Sequence, residues 1–214
     1  MNQQTEIAKY LLEKEAVKVK IDPPFTWASG IKSPVYCDNR KMLGFVGARE
    51  KIVEAFIAMI EEKGVEYNVI GGTATAAIPW AAFIADRLHK PMIYIRPEKK
   101  DHGAGKQIEG FLPGGQKVLI IEDLISTGGS SVAAAQIVRE EGGCEVTDIL
   151  AIVTWEIPKS KEVFAAAGLN LSTLTDYTHI VESASFDGAI SPEQLEIVMK
   201  FKEDPEGWAA KMAF

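Results

Sequence analysis

At 214 residues and 47% hydrophobic content, the chain can bury one substantial core and is too short for two ordinary domains. Its net charge of −7 argues against general nucleic-acid affinity, which draws on a broad basic surface. No stretch approaches the ~20 apolar residues of a membrane span, and the N-terminus, with Glu6, Glu13 and Glu15, lacks a secretory pattern, so the expectation is a soluble, cytoplasmic protein with no membrane partner.

In chain order, Ile7, Ala8, Leu11, Leu12 and Val17 recur at mixed three and four spacing, which predicts an amphipathic first helix over Ile7 to Val17. Asp22-Pro23-Pro24 ends that region. Ile52, Val53, Phe56, Ile57 and Ile60 form one stripe of a second helix, Glu50 to Lys63, closed by Gly64. Val69-Ile70-Gly71-Gly72 reads as a short strand ending in a glycine turn, in which Thr73 and Thr75 could donate to a diphosphate, and Ala76 to His89 reads as the helix that follows. Met92 to Ile95, Val118 to Ile121 and Ile149 to Val153 are further strand candidates, mostly separated by helices. This alternation predicts an α/β fold with a mainly parallel central sheet flanked by helices. Cys37 and Cys144 are far apart and lack a metal-ligand spacing, so both are expected reduced, with Cys37 a small packing residue. His89 and His179 read as surface or capping residues, and Trp208, Met212 and Phe214 as packing on the core or on a partner.

The most informative stretch runs from Val118 to Val132. Four aliphatic residues suit a strand buried on both faces, Glu122 and Asp123 stand at its carboxyl end, and Ser126 to Ser130 form a hydroxyl- and glycine-rich loop before a helix predicted over Val132 to Glu141. Adjacent carboxylates repel unless something cationic or hydroxylic uses them, and a sugar diol or a magnesium-bound sugar is a natural occupant. The loop offers backbone N–H groups and the positive end of a helix, an anion cradle. There is no G-x-x-x-x-G-K-[ST] and no G-x-G-x-x-G after a strand, which removes most support for a nucleoside triphosphatase or a dinucleotide enzyme. Upstream, Arg96, Lys99, Lys100 and His102 crowd a glycine-punctuated segment, where cations could fold over a diphosphate and exclude water; a solvated surface loop is the plainer reading.

Val118 to Val132 resembles the phosphoribosyl-diphosphate (PRPP) signature of the type I phosphoribosyltransferases. Arg96 to Gly103 is similar to the catalytic loop of the orotate phosphoribosyltransferases, and Phe25 to Asp38 to their orotate-side segment. The resemblance implies one phosphoribosyltransferase domain over 1–214 with an N-terminal hood of roughly 1–45. It also implies transfer of ribose 5-phosphate from PRPP to orotate, and a homodimer with shared active sites. Carried over by position, Arg96, Lys100 and His102 contact diphosphate, Glu122 and Asp123 lie by the ribose hydroxyls, and Leu124, Ile125, Ser126, Thr127, Gly128, Gly129 and Ser130 complete the PRPP site. Lys100, His102 and Asp123 are the implied catalytic residues. Ser126, Tyr36, Cys37 and Lys32 are implied on the orotate side, with Tyr36 equally readable as a strand aromatic and Lys32 as solvent-facing. Mg2+ is the implied cofactor, held mainly through PRPP and not directly by the protein.

Departures from the family pattern concern the orotate carboxylate. Ala28 stands where some members have lysine, Thr73 to Pro79 carries no lysine, Pro97 replaces a basic residue, and Thr154-Trp155-Glu156 has no arginine. Lys32 and Arg40 are the nearby basic residues that could substitute. A purine phosphoribosyltransferase would share the signature but not the other two blocks. A PRPP-sensing regulator should show a nucleic-acid-binding face, and neither a basic patch nor a helix-turn-helix pattern occurs.

Overall fold

A computed structural model describes residues 2–27, 29–98 and 106–211. The centre is a six-stranded sheet in the order β10-β9-β8-β5-β6-β7. It is built from β5 (Val69–Thr73), β6 (Met92–Ile95), β7 (Ile108–Glu109), β8 (Val118–Ile125), β9 (Asp148–Thr154) and β10 (Asn170–Asp176). Every pairing is parallel except the short β6–β7 ladder. The mainly parallel sheet expected from the sequence is therefore present, and the aliphatic runs that predicted its central strands are buried on both faces.

Helices cover the sheet on two sides. α1 (Gln3–Glu13), α2 (Val46–Lys63), α3 (Ile78–Arg87) and α6 (Tyr177–Phe186) contribute to one hydrophobic core, and α4 (Gly129–Glu140) and α5 (Pro158–Ala166) to the other. Between β5 and α3 the packing is close: a Cβ at Gly72 would lie 2.8 Å from the Ala81 side chain, so only glycine fits. α2 ends at Gly64 as predicted, with a left-handed φ of 59°.

The N-terminal part departs from expectation. The first helix stops at Glu13 and Val17 belongs to strand β1 (Val17–Val19), because the chain must turn to pair antiparallel with β4 (Val35–Cys37). Between these strands lies a second small ladder, β2 (Phe25–Thr26) with β3 (Lys32–Ser33). A 3-10 helix, Asn39–Gly44, then leads into α2. These short elements form the hood over the carboxyl edge of the sheet. The C-terminal segment, α7 (Pro192–Met199), a 3-10 turn and α8 (Trp208–Lys211), returns to it. There Trp27 stacks on Trp155 at 6.3 Å and meets Phe201 edge-on at 5.5 Å, and Phe201 in turn packs on Tyr177 and Trp208. Trp208 is buried as expected; Met212 and Phe214 lie outside the described residues.

Candidate active site

The carboxylates are not beyond the strand but within it. β8 continues to Ile125 because its ladder with β9 runs on to Thr154, whereas its ladder with β5 ends at Ile121 opposite Gly72. Adjacent strand residues ordinarily face opposite sides of a sheet, but at this open end of β8 the Glu122 side chain folds back so that the two carboxyls interact. Glu122 turns toward α4, where its Oε2 accepts from the Ser131 hydroxyl at 3.1 Å while Oε1 accepts from the Asp123 backbone N–H at 2.9 Å. Asp123 turns toward the hood, near enough for its charge to act on Cys37 and Arg40.

Both acids line one hollow of about 360 Å³ at the sheet's carboxyl edge, together with Arg96, Leu124, Ser130 and the turn Thr73–Ala76. A larger trough of about 950 Å³ lies over the outer edge by β10 and α5; it holds neither member of the acid pair. The Thr73–Ala76 turn contains a cis peptide between Ala74 and Thr75. Among the described residues the buried Thr73 hydroxyl makes no hydrogen bond of normal geometry, although it lies close enough to Glu122 to favour the ionised carboxylate.

Burial, then the neighbouring Asp123 charge, pushes the Glu122 carboxyl up to about 7, against the help of Thr73 and of the Asp123 N–H. Burial also raises Asp123, opposed by the Glu122 side chain, by backbone N–H groups and by Arg40. The doublet titrates as a pair and holds back a proton near neutrality. Neither acid has an ion-pair partner within 4 Å among the described residues. Such a doublet gains from an arriving cation or from hydroxyl donors.

After β8 the chain makes the predicted loop, and helix α4 begins at Gly129, earlier than the expected Val132. Among the described residues no side chain caps this helix, so its first-turn N–H groups can receive an anion. Thr127, Gly129 and Ser130 are exposed and Ser126 is half-buried. Gly128 has φ 82°, and a Cβ there would come within 2.7 Å of the Phe164 ring, so the loop is pressed down onto α5. Leu124 lines the hollow, but Ile125 is buried in the core, its carbonyl accepting from the Trp155 N–H. Ile125 therefore has only main chain to offer a ligand.

On the hood side, Tyr36 is exposed and packs on Phe25 at 5.7 Å. The half-buried Cys37 thiol is pushed far above its ordinary range, first by desolvation and then by Asp123 and Asp38, which suits packing rather than reactivity. The Lys32 ammonium donates to the Thr26 hydroxyl at 2.7 Å, across its own hairpin. Arg40 instead pairs with Asp38 at 2.6 Å and feels both Tyr36 and Asp123. Arg96 lies 3.6 Å from Glu109, and its N–H and C=O both engage Gln107, which also holds the Pro97 carbonyl. Lys100 and His102 lie outside the described residues, as does Ala28. His179, expected as a surface or capping residue, lies in the first turn of α6, where its backbone N–H and ring nitrogen both bond the N-cap carboxylate of Asp176. Sequence reasoning missed Asn39 and Ser131, single polar residues whose partners are the distant Asp123 main chain and, back across the loop, Glu122.

Residues 41–181 match the family described as phosphoribosyl transferase domain. Orotate phosphoribosyltransferase of Streptococcus pneumoniae is 47% identical over 203 residues, covering 95% of this chain and 96% of that one. The chain belongs to the orotate phosphoribosyltransferases. The enzyme of Listeria monocytogenes is similarly related, 46% identical over 97% of this chain and 99% of its own. Among solved structures, orotate phosphoribosyltransferase from Aeropyrum pernix superposes with a TM-score of 0.75 at 30% identity, covering 84% of this chain and 98% of that one. The fold is thus that of the type I phosphoribosyltransferases, and the hood's first forty residues precede the segment that the wider family shares.

Proposed function

We propose that this protein transfers ribose 5-phosphate from PRPP to a ring nitrogen of orotate, giving orotidine 5′-phosphate and diphosphate. The single observation that carries this reading is the 360 Å³ hollow in which an acid pair, a threonine turn and Arg96 converge beside an uncapped helix N-terminus. The relatives' shared name supplies the base.

In this reading the loop Ser126–Ser130 and the first turn of α4 hold the 5′-phosphate, Glu122 and Asp123 receive the ribose hydroxyls, and the Thr73–Ala76 turn with Arg96 receives the diphosphate. Asp123, on the hood side, supports positive charge developing on the sugar as the bond from C1 to the diphosphate oxygen breaks ahead of the bond forming from the ring nitrogen. Lys100 and His102, by family position, stabilise and protonate the departing diphosphate. Ser126 and the main chain of Tyr36 and Cys37 face the pyrimidine. Arg40, not Lys32, is the hood cation for the orotate carboxylate, since the exposed Arg40 already senses Asp123 and would exchange its pairing with Asp38 for the ligand.

The acid pair fits a divalent cation that arrives with PRPP. That cation would be held mostly by substrate oxygens. Mg2+ bound in this way neutralises phosphate charge. The remaining proposals follow the family: one domain with a hood, a homodimer with shared sites, a cytoplasmic location, and no nucleic-acid or membrane partner; no described helix is long and apolar enough to cross a membrane.

Ultraviolet absorbance with PRPP and Mg2+ tests the reading. Loss of orotate absorbance, with hypoxanthine, adenine and uracil unchanged, is expected; turnover of a purine, or PRPP binding without any turnover, overturns it.

A further inference from the structure

Asn39 opens the 3-10 helix directly behind β4 and its Tyr36–Cys37 pair. Its side chain is completely buried, whereas that of the next residue, Arg40, is 63% exposed. The Asn39 amide Nδ2 donates to the main-chain oxygen of Asp123 at 2.8 Å, across 84 positions of sequence. A carbonyl can only accept, so the amide orientation is fixed. The other end of the amide, Oδ1, has no hydrogen-bond partner among the described residues. A buried amide with one end unsatisfied is a poor way to stabilise a fold compared with an apolar side chain.

Its location gives it a use. From Glu122 onward β8 has a strand partner on the β9 side only, the β5 ladder having ended at Ile121. The Asn39 amide is the one side-chain hydrogen bond from the hood to this half-paired stretch among the described residues. We infer that Asn39 is a positioning residue: it fixes the spacing between the hood, which faces the base, and the strand whose Asp123 faces the sugar. This rests on the function proposed above. The attacking nitrogen and the ribose carbon are held by elements that no sheet joins, and a misplacement of about 1 Å between reactants costs roughly a hundredfold in rate.

The experiment compares Asn39→Ala and Asn39→Leu, the second of similar volume but without the donor, with wild-type protein. Each is assayed for thermal unfolding, for PRPP affinity by titration calorimetry with Mg2+, and for orotate turnover. Both variants are expected to keep PRPP affinity within about threefold and to lose ten- to a hundredfold in kcat, with a raised KM for orotate. Wild-type kcat in a folded variant overturns the inference, and so does a parallel loss of PRPP affinity and Tm, or failure of both variants to fold, either of which would make Asn39 a residue of the fold. Failure of the wild-type protein itself to consume orotate would instead sink the proposed function.

Discussion

Neighbouring residues of a strand ordinarily face opposite sides of their sheet, yet Glu122 and Asp123 line one cavity where β8 runs out past β5, because the Glu122 side chain folds back toward its neighbour. Their environments differ accordingly. Asp123, beside the hood, is the group placed to answer charge on the sugar, and Asp123→Asn should lower kcat at least a hundredfold while leaving the melting temperature within a few degrees; unchanged kinetics would count against the ribose assignment. Lys100→Ala should cut turnover far more than it weakens orotate binding, as compared by kcat against the orotate dissociation constant. Glu122 behaves differently, because its carboxyl is raised from 4.5 to about 7 by burial and by Asp123. An acid raised on folding contributes stability at low pH that is lost as pH climbs, here between about 4.5 and 7. Urea unfolding of the wild type should therefore show stability falling by up to about 3 kcal/mol from pH 5 to pH 8, and Glu122→Gln should flatten that slope. An equally steep slope in the variant would assign the titration elsewhere. The acid doublet was legible in the sequence as chemistry, because two carboxylates against four aliphatics have no solvent-side explanation. Asn39 was not, since nothing local marks a lone amide whose partner is 84 residues away.

At the scale of elements, short apolar runs announced β5, β6, β8 and β9, while the aliphatic signal of β8 stops at Ile121 because the polar Glu122 and Asp123 follow it. The ladder with β9 overrides that signal, as backbone pairing does not depend on side-chain polarity. β10 escaped notice for a related reason: an edge strand reading Asn-Leu-Ser-Thr-Leu-Thr-Asp is only partly buried and has no uninterrupted apolar run. The hood strands, of two or three residues each, are too short for periodicity to register. The loop after β8 offers a sharp element-level test. With φ 82° at Gly128 and the Phe164 ring 2.7 Å from where a Cβ would stand, Gly128→Ala should cost about 1–3 kcal/mol and lower the melting temperature by several degrees. PRPP affinity should drop with it, since the first turn of α4 would be pushed off α5. A variant that melts like wild type would show that Phe164 yields without cost.

For the whole molecule, the shared-site homodimer proposed above predicts that two dead variants can repair one another. Protein carrying Lys100→Ala mixed with protein carrying Asp123→Asn should regain activity as hybrid dimers form, each hybrid having one site with both residues intact. No recovery after subunit exchange, verified by native mass spectrometry, would mean that each chain completes its own site. The same scale brings the aromatic belt into play. Three of the chain's four tryptophans, Trp27, Trp155 and Trp208, lie in the one cluster that ties hood, sheet end and C-terminal segment together, with Trp27 stacked on Trp155. Any rocking of the hood as ligands enter must alter how these indoles quench one another, so the protein carries its own optical gauge. Stopped-flow emission, without an added dye, would give the speed of that movement alongside the speed of catalysis.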